Sequence, residues 1–477
     1  MSLTSLRFLY FLAAVIAACF ILPRKLRNPI LLAASLYFYW AWKPWALAVL
    51  AFSVTSSYFL ALLIEKAREN PPKGAGPQRG KALFVFSVVL QAALLCLFKY
   101  LPPLEMGKLS LVMPLGLSFY SFQIIAALSD VQTGKAKAER NFIDWALFVS
   151  FFPKIIEGPI ERTGFLPQLK EPPAFRWETF RLGAVRFLWG ILVKLVITER
   201  LSVIYGYVDT FYIRMEGYQL LAGMLAYSLH LYTDFYAYTS MALGAAGMLG
   251  YGLSENFARP YFATGIKDFW RRWHISLSSW LRDYIYIPLG GSRCSRGRKY
   301  LNVLVTFLVS GIWHGASWKF AVWGLLHGIL QVAEDLLRPA RDRLCAALKV
   351  DRTSFSHRLL VSLWTFALVS VLWLFFWRES PKSVLDYLTW TCRFKNYPEI
   401  FEGGLMRLGL DYFDMTVLVI SLGMFACRSV MAERGCDCMA WLFRQGLWAR
   451  MAFYWTQLLL IAFSVSSSAK EFVYAAF

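Results

Sequence analysis

Long apolar runs, separated by short polar and basic loops, dominate this chain. About 20 apolar residues span a bilayer, with roughly 17 to 25 usual. By that measure the pattern predicts membrane helices at 7–22, 29–42, 44–64, 82–100, 111–128, 183–204, 218–250, 358–377, 414–427 and 449–468. The runs 29–42 and 414–427 are the short ones. The first run reads as an uncleaved helix, because Arg24, Lys25 and Arg27 follow it, whereas signal-peptide charges precede the apolar core.

The loops orient these spans. Arg24, Lys25 and Arg27 form one basic loop. Lys66, Arg68, Lys73, Arg79 and Lys81 form the next but one, and Lys135, Lys137 and Arg140 follow two spans later. The loops between hold only Lys43, then Lys99 and Lys108. Membrane proteins keep their cations on the cytoplasmic side, so the N-terminus is expected outside and the basic loops inside.

Two stretches break the pattern. Segment 142–157 (FIDWALFVSFFPKIIE) is apolar but short, and Pro153 interrupts it. It reads as re-entrant or interfacial, which requires protein or a water-filled cavity around its irregular backbone. Segment 301–333 would be roughly 50 Å long as one straight helix, against a hydrocarbon thickness of about 30 Å. Arg296, Arg298 and Lys299 precede it, and Arg338, Arg341, Arg343 and Lys349 follow. With both flanks basic, a hairpin or broken helix is expected, turning near residues 311–315. That would put Trp313, His314 and Gly315 deepest in the membrane. The linker-like stretch 65–81 (EKARENPPKGAGPQRGK) is rich in Pro, Gly and charge. The expected division is 1–100 for peripheral N-terminal helices, 101–333 for a core and 334–477 for C-terminal helices. No internal repeat stands out, nor an inverted pair of interrupted helices, the usual pointer to a secondary transporter.

Composition sharpens this picture. Of 477 residues, 58% are apolar and only 17% charged, against about 25% charged in soluble domains. Mean hydropathy is +0.47. An ordinary cytosolic enzyme and a disordered or collagen-like chain are excluded. Lys and Arg number 50 against 30 Asp and Glu, a formal net charge of +20. A nucleic-acid binder gathers its cations on one face of a soluble fold, whereas here they sit in clusters between apolar runs. The cysteines read as structural thiols: Cys436 and Cys438 are too close for the usual zinc spacing, and neither a metal site nor a disulfide framework is expected.

Five histidines are the candidates for chemistry. His357 follows a polar loop and reads as solvated. His230, in YSLHLYTDF, suits packing or hydrogen bonding, and His327, in WGLLHG, a structural place on an apolar helix. His314 differs, because an ionisable group at membrane depth is a functional-site hypothesis by default. Gly311, Gly315, Ala316 and Ser317 leave room beside it for an acyl chain, and Trp313 and Trp318 could wall off water. Imidazole suits proton transfer near neutral pH. The plain alternative is a buried histidine bonded to a carbonyl across helices.

His274 lies in KDFWRRWHISLSSWLRDYIYIPLGG, which mixes Lys267, Arg271, Arg272, Arg282 and Arg293 with Trp270, Trp273, Trp280, Tyr284 and Tyr286. One reading is an interfacial amphipathic helix with an aromatic belt. The other is a cytoplasmic mouth for an anionic donor, with cations on its phosphates and aromatic rings against its acyl or nucleotide part. Asp234 is a carboxylate inside a long apolar run, which demands a helix-borne partner or a buried water. It could orient a histidine, bind substrate or be purely structural.

Together these stretches resemble the membrane-bound O-acyltransferase family, and closely its bacterial alginate O-acetyltransferase-like branch. The D-alanyl-transfer protein of teichoic acid synthesis is a more distant likeness. The matching stretches are PLGLSFYSFQ (114–123), NFIDWALFVSFFPKIIEGPIERTGFLPQL (141–169), YSLHLYTDFYAYTSMALG (227–244), FWRRWHISLSSWLRDYIYIPLGGSR (269–293) and GIWHGASWKFAVWGLLHG (311–328). The resemblance implies an all-α polytopic membrane protein of about ten transmembrane helices, with re-entrant segments around a central tunnel. It implies that His314 is the active-site histidine and His274 the second catalytic position, nearer the cytoplasm. Arg271, Arg272, Trp273, Asp234, Trp313 and Arg282 are the expected substrate contacts.

The implied activity moves an acyl group, acetyl from acetyl-CoA, to hydroxyls of an extracytoplasmic polysaccharide such as alginate. Acetyl-CoA would be a cosubstrate, with no cofactor bound. The implied setting is the bacterial inner membrane, beside an extracytoplasmic polysaccharide-modifying protein. His314 would take the proton of the attacking hydroxyl, a transient acyl carrier being the other role open to it. Transfer to teichoic acid or a lipid-linked glycan is the nearer rival. A transporter or flippase with histidines as a proton relay is the rival of another class. The chain departs from the family pattern at Ser240, where an Asp is usual, at Tyr236 and Ala237, and at His230, often Gln. These departures bear on acceptor and partner docking more than on the chemistry.

Overall fold

The computed structural model describes residues 1–69, 78–100, 104–106, 109–393, 398–400 and 402–464. Residues 70–77 of the expected linker and the end of the last expected span lie outside them. Among the described residues the chain forms α1 (Leu6–Ile21), α2 (Arg27–Trp40), α3 (Ala46–Glu69), α4 (Gln78–Tyr100), α5 (Leu117–Thr133), α6 (Phe142–Ser150), α7 (Phe152–Ile155), α8 (Leu166–Lys170), α9 (Trp177–Leu192) and α10 (Glu199–Phe211). There follow α11 (Gly217–Met248), α12 (Ile266–Arg272), α13 (Ile275–Leu281), α14 (Arg296–His314), α15 (Trp318–Ala347), α16 (Phe355–Trp377), α17 (Pro381–Thr391), α18 (Tyr412–Glu433), α19 (Cys438–Arg444) and α20 (Leu447–Ser464). One short antiparallel ladder, Leu104–Met106 with Leu109–Leu111, interrupts the helical pattern. By length and composition, five of the described helices can cross a membrane: α3, α4, α15, α16 and α18.

The helices fall into two compact units, Met1–Leu188 with Tyr238–Glu255, and Trp189–Ala237 with Asn256–Phe477. These boundaries differ from the expected ones at 100 and 333. The helices on either side of the linker-like stretch, α3 and α4, pack together within the first unit. That unit's core is aromatic, with the Phe8, Phe11, Phe38 and Phe152 rings 5.1–6.3 Å apart.

Segment 142–157 breaks at Phe151, between α6 and α7. Residues 144–155 are all buried. The Phe152 N–H donates to Ser35 Oγ at 3.1 Å, and Lys154 Nζ donates to Gln123 Oε1 and to the Phe148 carbonyl. Protein thus surrounds the irregular backbone, the condition set by its re-entrant reading.

The expected span 183–204 is no plain helix. A π-helical stretch, Val193–Thr198, joins α9 to α10. Lys194 lies in it, and its Nζ stands 2.9 Å from Asp234 Oδ1 and 3.0 Å from Glu199 Oε1. Wide turns of this kind concentrate where a helix must accommodate something other than regular packing.

Segment 301–333 does form a hairpin, α14 against α15. The turn falls at residues 315–317, beyond the expected 311–315. Gly311 serves the crossing instead: a Cβ there would stand 2.2 Å from the Phe320 carbonyl oxygen, and one at Gly324 2.3 Å from that of Phe307. Small residues at such crossings let two backbones touch. The 19 residues of α14 measure about 28 Å, close to a full hydrocarbon thickness of about 30 Å. Just past the turn, Lys319 Nζ donates to the Phe376 and Arg378 carbonyls at 3.1 and 3.0 Å, and Arg378 pairs with Asp209. Charged side chains thus find protein partners just past the turn.

Candidate active site

The second unit builds its site at the junction of α12 and α13. His274 occupies this break with φ 42° and ψ 56°, a left-handed conformation that costs a non-glycine residue about 1–3 kcal/mol. An adjacent loop holds it there. The Ala258 N–H donates to the Arg272 carbonyl and the Ile275 N–H to the Asn256 carbonyl, both at 2.9 Å. The Asn256 side chain is fully buried. Its Oδ1 accepts from the Ser276 N–H at 3.2 Å and the Ser276 hydroxyl at 2.8 Å, and stands 3.2 Å from His274 Nδ1.

Aromatic rings extend this site to the α14–α15 turn. His274 meets Phe235 of α11 edge to face at 4.7 Å and Trp313 at 6.4 Å. Trp313 lies 4.7 Å from His314. His314 is buried, with Trp323 of α15 and Phe376 of α16 each 5.1 Å away. Trp323 in turn lies 4.9 Å from His327. Three of the five histidines thus share one cluster. His327 takes the structural place expected of it, fully buried with its Nδ1 accepting from Trp270 Nε1–H at 3.2 Å.

The expected substrate contacts divide. Trp313 neighbours both His274 and His314. The Arg271 and Arg282 side chains are largely exposed, beside Asp268 and Asp283 at 3.0 Å, and remain suited to an incoming anion. Arg272 is committed elsewhere: its Nε meets Asp268 Oδ2 at 3.1 Å and its Nη1 meets Glu433 Oε2 at 2.9 Å, an oxygen shared with Arg259 Nε at 2.8 Å. Burial pushes the Asp268 carboxyl up, but the Thr264 amide and the Arg272 and Arg271 guanidiniums outweigh it and hold the group below its usual value. Trp273 is buried among Phe257, Phe269 and Trp373 at 5.0–5.5 Å. Arg272 and Trp273 are thus engaged by neighbouring side chains of the site.

Asp234 has the helix-borne partner its burial demanded, Lys194. Phe235 faces His274, but the Asp234 carboxylate belongs to a separate buried ionic group. There His230 Nε2 lies 3.9 Å from Asp234 Oδ2, and His230 Nδ1 bonds the Thr198 carbonyl at 3.1 Å.

Sequence reasoning missed Asn256, Lys194, Trp323 and Phe376. A lysine inside an apolar run was a usable signal; a lone Asn in SENFARP was not. Chemically, the cluster offers imidazoles in a ring-lined enclosure where water is sparse, an environment suited to holding and passing a proton.

The family described as MBOAT, membrane-bound O-acyltransferase family, matches residues 39–347. The probable alginate O-acetylase of Azotobacter vinelandii is 34% identical over 431 residues, covering 85% of this chain and 82% of its own. The peptidoglycan O-acetyltransferase of Helicobacter pylori is 32% identical, covering 77% and 75%. The teichoic acid D-alanyltransferase of Bacillus subtilis is 29% identical over 53% of this chain and 68% of its own. Matches of this extent run through both histidine-bearing stretches, and the chain belongs to the membrane-bound O-acyltransferase family, as an O-acyltransferase.

Proposed function

We propose that this enzyme takes acetyl from acetyl-CoA at the cytoplasmic side of the bacterial inner membrane. It would deliver the group to hydroxyls of an extracytoplasmic polysaccharide of the alginate kind, together with a separate extracytoplasmic modifying protein. The N-terminus would face outward, and a tunnel would carry the donor from the Arg271 and Arg282 mouth. The supporting observation is that His274 and His314 both neighbour Trp313 in one buried cluster. In the proposed step His314 accepts the acceptor hydroxyl proton as the oxygen attacks the thioester carbon. The new C–O bond forms, the C–S bond breaks, and the leaving thiolate takes up a proton.

The alginate O-acetylase relatives favour a polyuronate acceptor. The Helicobacter pylori relative, covered nearly as well, favours a peptidoglycan hydroxyl as the second reading. The test is transfer of labelled acetyl from acetyl-CoA in membranes supplied with each glycan, for wild type, His314→Ala and His274→Ala. Label in one glycan, lost in both variants, is the expected result. Label transfer that survives His314→Ala in a folded protein removes that residue from the reaction. Passage of an unmodified substrate with no labelled product would identify a transporter instead.

A further inference from the structure

We propose that Asn256 is a positioning residue that fixes the proton arrangement of His274, so that Nε2 is the nitrogen that gains and loses a proton during turnover. The inference rests on the reading of His274 as part of the acyl-transfer site.

The argument follows from which groups can only donate. Ser276 N–H is a backbone donor, so the Asn256 atom that accepts from it at 3.2 Å is the amide oxygen and not the nitrogen. His274 Nδ1 faces that same oxygen at 3.2 Å. Two acceptors cannot face each other favourably, so Nδ1 carries the hydrogen of the neutral ring and Nε2 carries the lone pair. His327, in the same cluster, is set the opposite way. Trp270 Nε1–H can only donate, so His327 Nδ1 is its acceptor and the hydrogen sits on Nε2. One histidine is thus prepared as a base and the other is not.

The backbone supports the same assignment. His274 is held in its left-handed conformation by the loop that carries Asn256, through the Ile275 N–H bond to the Asn256 carbonyl. Strain of this kind persists only where its surroundings over-determine it, and it gathers at functional sites. Rings facing His274 include Phe235 of α11 and Trp313 of α14. His314 follows Trp313 along α14, and Arg272 of α12 turns to Asp268 and Glu433. The Asn256 carbonyl, 3.2 Å from Nδ1, is in place to choose the tautomer.

The test measures labelled acetyl transfer in membranes across about pH 5 to 9, a range that brackets an ordinary imidazole. It uses full-length Asn256→Ala, Asn256→Asp and Ser276→Ala. Asn256→Ala is expected to lower kcat about 10- to 100-fold with little change in the KM for acetyl-CoA. Asn256→Asp restores the accepting oxygen and most of the rate. Its carboxylate favours the imidazolium, so the acid limb of the profile moves to higher pH by about one unit or more. Ser276→Ala removes another bond to the same oxygen; its loss of rate, without movement of the limb, measures the purely structural part. Wild-type kcat in Asn256→Ala, or Asn256→Asp as slow as Asn256→Ala, overturns the proposal. So does an acid limb that stays in place in Asn256→Asp. Full activity in His274→Ala would instead remove the reading on which the proposal stands.

Discussion

His314 and His327 both neighbour Trp323, 5.1 and 4.9 Å from its ring, yet they should fail in opposite ways when replaced. His327 accepts the buried Trp270 indole N–H. His327→Leu strands that donor, at a cost of about 1–3 kcal/mol. Its unfolding temperature in detergent should fall, while the folded fraction keeps acetyl transfer. His314→Gln keeps a similar volume in its ring enclosure, so unfolding should change little, but transfer should drop at least about 100-fold, the usual contribution of a positioned general base. Thermal unfolding and label transfer measured on both variants decide the matter, and the reverse pattern would exchange the two roles. At this scale His314 stood out in the sequence as a candidate, because an ionisable group with small neighbours in an apolar run has few structural excuses. Asn256 was not legible. Its meaning lies in hydrogen bonds to His274 and Ser276, 18 and 20 residues away, and nothing local in SENFARP announces them.

Elements follow a similar rule: length and periodicity carried over, and local geometry did not. The α14–α15 hairpin was legible because 33 apolar residues with basic flanks exceed one crossing. Its turn was misplaced because glycine near the middle of such a run suggests a turn, whereas Gly311 is a contact point between two backbones. The α12–α13 stretch reads as one amphipathic helix only while His274 is assumed helical. Its left-handed conformation breaks the periodicity, and Arg272 and Trp273 pack against neighbouring side chains. The contact at Gly311 is testable. In Gly311→Ala the new Cβ would sit 2.2 Å from a backbone oxygen, which no side-chain rotation relieves. Separating the helices should cost about 1–3 kcal/mol. Trp313 and His314 lie just beyond on the same helix, so acetyl transfer per folded molecule should fall as well. An alanine variant with wild-type melting and turnover would mean that the two helices are not held at this distance.

For the molecule as a whole, the +20 charge is the ground for the expected orientation, and α14 turns that expectation into a distance. Arg296, Arg298 and Lys299 begin the helix on the side expected to be cytoplasmic. About 28 Å further along, the turn at 315–317 meets Lys319, Arg378 and Asp209. Charges at that level are costly in hydrocarbon, which is the ground for expecting the turn at the opposite interface. His314 would then lie just inside the extracytoplasmic surface, within reach of a glycan too large to enter a membrane. Single cysteines in a cysteine-free background, probed with a membrane-impermeant thiol reagent, test this placement. Lys25→Cys and Arg298→Cys are exposed basic-loop positions and should react only when the cytoplasmic face is open. Ser317→Cys, also exposed, should react from outside in intact cells. Reaction of Ser317→Cys from the cytoplasmic face alone would invert the hairpin and separate His314 from any external acceptor. Protection from both faces would return the turn to mid-membrane, and a polymer hydroxyl could then reach His314 only by entering the protein.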